Sequence, residues 1–515
     1  MRTNKIKLAT TIPLLAVLLA GAGTEAITYH NSNNVQAAIQ KKPSKKMKGK
    51  KPPKKPSGKK MGMPPSGKKP SGKPGKGGPG KGGANTQTYD YSGTLKATLN
   101  VKSGTTKVGK KTITNKKTDQ NVALAQKKGK LVLNKTTLKK TGNSKNDDNA
   151  NFYGLDSILL VNGKKASATV SNANLISKAT GANGIFATNK GTVNIKNTSI
   201  RTSGKANSRG VDATYGGKIN ANNVKISTKG DHSAAVATDR GGGTVTVNNS
   251  KLSTQGTGSP LAYSTGNIKF NNVSGTATGS QIAGMEGYNK ITLNNSSLTS
   301  TNNKISGSDP IKNGVIIYQS TSGDADTSSD KSAIFQATDS TLKTSISSGA
   351  MFYVTNTTGK ITLENTKLDF NSNNVDLLNA SGNNSNNWGT KGKNGGHVTL
   401  TGKNQTLKGN IIVDSVSNAN INLLDNTVYT GKTKIVANKY ATSSSKSKSP
   451  ITMTISSNSK WVVTGNSTVT NLNLANGGQI VDSQGHKVTI IANGKTVQKG
   501  TSSYTVTVTG SYSNN

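Results

Sequence analysis

The residues with types and spacing suited to chemistry are few, and the densest group is Asp212, Asp231, His232, Asp239 and Arg240. Hydrolysis of a glycosidic bond needs two carboxyl groups on one cleft, roughly 5 to 9.5 Å apart. Only three glutamates are available besides the aspartates: Glu25, Glu286 and Glu364. Aligning the repeats described below sets Asp212 level with Phe186 and Val236, and Asp239 level with Asn189 and Tyr215. No column then pairs two of these carboxylates, and Asp239-Arg240, ahead of three glycines, reads as a salt-bridged turn rather than a catalytic pair. Asp324, Asp326 and Asp330 share one loop and have the oxygen-rich look of a Ca²⁺ loop. The terminal bidentate Glu of an EF-hand is missing, so a solvated loop is the preferred reading and no cofactor is expected. The four histidines (His30, His232, His397, His486) are far apart and there is no Cys, which leaves no pattern for a transition metal. Gly241-Gly242-Gly243 has no following helix to bind a phosphate. Trp388, in a glycine-rich loop, and Tyr318 are the aromatic candidates for stacking on a sugar.

Any such residue has to be positioned by a repeat. The segments starting at Gly184, Gly210, Ala234, Pro260 and Gln281 each read as two short alternating strands around a glycine-bearing turn. Asn197, Asn223, Asn249, Asn272 and Asn295 mark the same place in successive copies, a period in the range of stacked solenoid units. Val193, Ile195 and Ile200 recur as Ile219, Ala221 and Ile226 and again as Val245, Val247 and Leu252, with polar residues between them. One face of each coil is therefore apolar at period two, and a single coil cannot bury it; stacked coils can, while pairing each strand with those above and below. The recurrent Asn is expected to form a ladder of stacked amides at a turn. The insert TGNSKNDDNANFYG reads as a loop. These patterns predict an all-β chain, a right-handed parallel β-helix over 84–439. Residues 440–515 follow as last coils with a cap, or as a small separate β unit.

Composition fits a thin core. The 515 residues are 30% hydrophobic and 4% aromatic, with net charge +46 from 67 Lys and Arg against 21 Asp and Glu. Arginine occurs only at positions 2, 201, 209 and 240. Such a lysine bias suits a solvated charged surface better than bidentate base or phosphate readout. Residues 1–26, with a basic start and the run LATTIPLLAVLLAGAG, read as a secretory signal, cleaved after Ala26 or Ala37; an uncleaved membrane anchor is the alternative. Residues 27–83 then form a disordered spacer, Lys/Pro/Gly-rich from Lys41, without an acidic, aromatic or branched aliphatic side chain from Lys41 to Gly83. Its lysines, among them Lys41, Lys42, Lys45, Lys46, Lys50, Lys51, Lys54, Lys55, Lys59 and Lys60, suit an anionic envelope polymer. The tract has no interleaved aromatics or motif for specific nucleic acid.

The blocks NFYG at Asn151, TDRGGGTVTV at Thr238, GTGSPLAYST at Gly256, GVIIYQSTSGDAD at Gly314, MFYVTN at Met351 and NQTLKGNIIVDSVS at Asn404 resemble exported bacterial proteins of adhesin type. The resemblance runs from about Asp119 to Ser467. It implies the right-handed, pectate-lyase-like β-helix shared with autotransporter passengers, and a secreted or cell-surface location; it carries over no catalytic residues. The Lys-rich tract departs from the family's acidic or neutral surface. The expected function is that of a non-enzymatic surface protein contacting host glycans or anionic wall polymers. A polysaccharide lyase or glycoside hydrolase of the same fold is the alternative, since fold does not fix function.

Overall fold

The structure, a computed structural model, describes residues 87–326, 331–385 and 387–515. The expected signal, the spacer with its lysines, and Asp330 lie outside the described residues.

Each coil begins with a short strand in a sheet of thirteen parallel strands, from Ala97–Val101 to Thr433–Val436. It then turns into a second sheet. In the central coils the second-sheet strand is long and bends midway, as in Thr192–Thr202, Gly217–Thr228 and Gly243–Thr254. Strands in both sheets pair in parallel with the next coil, so the chain is a parallel β-helix. The apolar register matches the sequence reading: Val193, Ile219 and Val245 stand in one column, and Ile200, Ile226 and Leu252 in another. All six lie in one buried core that runs down the stack. Burying each such side chain contributes roughly 1.5–3 kcal/mol.

The turn glycines are set by the neighbouring coil. A Cβ on Gly217 would sit 2.1 Å from the carbonyl oxygen of Ala187, and one on Gly243 would sit 2.5 Å from that of Ala213. The asparagines occupy the bend of the second sheet with positive φ, from 45° at Asn295 to 55° at Asn272. Asn tolerates this left-handed region better than other side chains. Its amides form the expected ladder: Asn223 donates to Asn197 at 2.8 Å and Asn272 to Asn249 at 2.8 Å. The rung from Asn249 goes instead to Asn222, at 3.0 Å. The same left-handed corner continues at Asn172, Asp339, Asn365 and Asn404.

Two segments differ from expectation. The insert around Asp147 is a short helix, α1 (Asp147–Tyr153), rather than a loop. Asn146 caps it by accepting from the Asn149 N–H at 2.8 Å, Asp147 and Asp148 occupy its first turn, and Gly154 ends it at φ 74°. Helix signals sat in the sequence as Asn-Asp-Asp and Gly, but the surrounding period-two pattern masked them. Residues 440–515 belong to the same compact unit as the coils before them. Ile451–Ile455, Asn471–Leu474 and Tyr512–Asn514 extend the second sheet, and Lys460–Val463 with Gln479–Val481 extends a third. The end is a four-stranded sheet with one antiparallel pair, Thr489–Ala492 and Lys495–Gln498.

Candidate functional site

The outward column of the thirteen-stranded sheet breaks the repeat. It reads Leu124, Leu160, Phe186, Asp212, Ala237, Tyr263, Gly284, Ile316 and Tyr353 through successive coils. In an open solenoid these positions would be polar and wet, yet Leu124, Leu160 and Phe186 are fully buried in a cluster separate from the main core. Excursions form a second layer over them. Helix α1 brings Phe152, whose ring lies 3.5 Å under the Arg240 guanidinium, and Tyr153, which stacks on Tyr215 at 5.7 Å.

Here the carboxylates come together in a way the repeat alignment excluded. Asp212 is level with Ala237, not Val236. Relative to its predecessor, the third coil is one residue shorter before this sheet (Ile226 to Val236 against Ile200 to Val211), and it regains the residue in the turn before Val245. Arg209 bridges the two acids, with Nη1 2.5 Å from Asp212 and Nη2 2.7 Å from Asp239. The Asp239-Arg240 salt bridge expected in the turn is not formed. The Arg240 backbone N–H donates to Asp239 at 2.9 Å, while its guanidinium pairs with Asp324 at 2.6 Å. Asp212 is 0% exposed and Asp239 2%. Burial pushes both carboxyls up and Arg209 opposes it; for Asp239, the charges of Asp324 and Asp212 add to the rise. One guanidinium thus neutralises both carboxylates. Asp231 stands apart, accepting from the Thr257 N–H at 2.8 Å.

In front of Arg209 opens a cleft of about 180 Å³, also lined by His232, Tyr263, Gln281, Asp309 and Tyr318. Glu286 lies beneath it, 2% exposed, accepting from the hydroxyls of Tyr263 at 2.9 Å, Tyr318 at 3.3 Å, Ser322 at 3.0 Å and Ser320. Burial raises its pKa, and the Ser320 hydroxyl holds it down in part. Asp309 is half-buried and accepts from Asn313 at 2.8 Å; desolvation pushes its carboxyl up to about 7 against that bond. Tyr318 therefore reaches the cleft. Trp388 is 5% exposed and stacked on Tyr318 with ring centroids 4.6 Å apart, so it supports that ring rather than offering a face of its own. Asp326 pairs with Lys331 at 3.3 Å, and with Asp324 held by Arg240 both described acids of that acidic loop have a cation beside them. No group of three His, Cys, Asp or Glu able to hold a metal occurs among the described residues.

The second sheet is the opposite case. Its outward side chains are Thr, Ser, Asn and Lys, uncovered. From Thr105–Gly109 through Ser297–Ser300 its strands contain no Asp or Glu. They do carry exposed Lys107, Lys130, Lys139, Lys196, Arg201, Lys218, Lys225, Lys251 and Lys269, and half-buried Lys290. Lys225 and Lys251 are direct neighbours in register, about 4.8 Å apart by strand spacing, an arrangement that costs free energy. Only further along do acids enter, as in the Lys343–Asp369 pair at 2.9 Å. The sequence reading did not single out these lysines, although lysine in the outward phase of most of these coils without a compensating acid was a visible signal. Arg209, Tyr263 and Asp309 also escaped it, because excursions bring them together.

No protein-family model matches the sequence, and no curated protein matches it. Among the described residues, no helix is long and apolar enough to cross a membrane.

Proposed function

We propose that this chain is an exported, non-enzymatic, adhesin-like surface protein whose second sheet holds an anionic glycan or envelope polymer. The supporting observation is the acid-free, lysine-lined face from Lys107 to Lys290. Most of its coils contribute at least one cation, and strands of successive coils lie about 4.8 Å apart, inside the roughly 8–10 Å over which salt screens charges at ordinary ionic strength. Their fields therefore add, and their mutual repulsion is relieved when a linear polyanion lies along them. Counterion release drives such binding, so it needs no pocket and weakens with salt. The Lys41–Gly83 tract adds sixteen lysines to the same task. A subsidiary sugar contact at the cleft rests on Tyr318, with Trp388 as its support.

The test is retention of the full chain on isolated cell walls and on immobilised polyuronate through a salt gradient. It is run beside a variant with Lys218, Lys225, Lys251 and Lys269 changed to Glu and one lacking residues 41–83. Early release of the quadruple variant supports the sheet as the binding face. Early release of the deletion alone assigns retention to the tract. Shortening of pectin, alginate or a glycosaminoglycan by the pure protein replaces the binding function with that of a lyase or hydrolase.

A further inference from the structure

Lysine stands once where an inner column of the second sheet otherwise carries short, mostly polar side chains. Lys140 is level with Asn115 on one side and Ser177 on the other, and the column continues as Thr202, Thr228 and Thr254. Its Nζ lies 2.9 Å from Asp156 Oδ1, and both side chains are 0% exposed. Nζ also donates to the carbonyls of Lys117 at 2.7 Å and Gly142 at 2.5 Å, which fixes its position. A buried ion pair of this kind is held at a desolvation cost that attraction barely repays. Burial pushes the ammonium down while Asp156 draws it back, and it pushes the Asp156 carboxyl up to about 7 against the pull of Lys140. Burial thus works against the charged form of both partners.

In water an amine and an acid do not condense at neutral pH, because both are stabilised as ions and meet only by diffusion. Here the ions are penalised, and holding reactants in contact is worth an effective concentration on the order of 10⁵–10⁸ M when alignment is good. We propose that Lys140 and Asp156 condense to an intramolecular amide. The nitrogen lone pair attacks Cγ of the protonated carboxyl and the C–N bond forms. The C–OH bond then breaks, and the hydroxyl leaves with one nitrogen proton as water, so no oxidant, reductant or activated ester is consumed. Asp119, anchored by the Lys145 N–H at 2.8 Å and the Ser144 hydroxyl at 3.2 Å, is the next acid along whose charge acts on both groups. The product closes residues 141–155 into a covalent loop around α1, the segment that covers Phe186 and Arg240.

Peptide mapping of the full mature chain by mass spectrometry, after denaturation and trypsin digestion, tests the bond. The expected result is one branched peptide containing Lys140 and Asp156, lighter by one water than its two parts, with no cleavage after Lys140. In Lys140→Arg the branched peptide is absent and trypsin cuts at position 140. If Lys140→Arg fails to fold, the map of the unaltered chain decides by itself. Unmodified peptides at both positions in that map, with the Lys140 amine labelled by an acylating reagent after denaturation, overturn the proposal.

Discussion

The two outward faces of this β-helix obey opposite rules. On the second sheet each coil repeats its neighbour, with Thr, Asn or Lys outward and the backbone ladder carrying the order. On the thirteen-stranded sheet no two successive outward residues from Phe186 to Tyr353 are alike. A face left to solvent need only be polar, so its charge is free to be set by a partner. A face covered by excursions must satisfy particular side chains, so it fills with rings, ion pairs and carboxylates whose pKa values burial has moved. Singular chemistry accumulates where a solenoid departs from its repeat, and collective electrostatics where it keeps to it.

Arg209 gives the largest contrast between the faces. Changing it to Met leaves Asp212 and Asp239 buried without a cation, an effect of about 3–5 kcal/mol. Lys251→Ala on the open face is expected within about 0.5 kcal/mol of the parent. Urea unfolding midpoints measure both, and equal midpoints for the two variants would erase the distinction. In binding the roles reverse. The quadruple Lys→Glu variant is expected to lose about 10²–10³ in affinity for a polyuronate near physiological salt, with a shallower dependence on salt and an unchanged unfolding midpoint. Arg209→Met, assayed below its unfolding range, is expected to bind as the parent does.

That contrast also marks what the sequence disclosed. The coil register was legible at Val193, Ile219 and Val245 because burial imposes the same period on each copy. The outward column was not, since a change of one residue on either side of Val236 shifted Asp212 and Asp239 out of the alignment while leaving the core in phase. Pairing of Arg240 with Asp324, 84 positions away, depends on how an excursion folds back and has no local signature. Helix α1 was hidden for a simpler reason: its cap residues are also turn residues, and Asn-rich strands surround it.

Acid titrates the covered face with a sign opposite to the usual carboxylate case. Asp309 is raised from its ordinary range to about 7 by burial, so between roughly pH 4 and 7 the folded chain binds more protons than the unfolded one. Its contribution is complete below the unfolded pKa and is lost as pH rises through the folded value. Asp212, Asp239 and Glu286 are raised as well and act in the same direction. Urea midpoints should therefore fall from about pH 5 to about pH 8, and Asp309→Asn should flatten part of that fall. Its share is on the order of 2 kcal/mol, discounted because the group keeps some contact with solvent. An identical slope in Asp309→Asn would place the titration elsewhere on the covered face.

The smallest effect belongs to the repeated corner of the open side, and it separates backbone strain from amide stacking. Asn223 has φ 52° and donates to Asn197 at 2.8 Å. Alanine there keeps the strain and removes the bond, costing about 1–2 kcal/mol mainly through the left-handed backbone. Glycine relieves the strain and also removes the bond, so Asn223→Gly should cost only a few tenths to about 1 kcal/mol. If strain dominates, the two variants differ clearly in urea midpoint. If they are equally destabilised, the amide ladder carries the corner instead. The double change Asn197→Ala with Asn223→Ala then distinguishes a shared rung from independent ones, because residues joined by one bond lose it only once and fall short of additivity by about 0.5 kcal/mol or more. A strictly additive pair would make each asparagine a backbone device acting alone, and the corner would owe its regularity to φ at every coil rather than to bonds between coils.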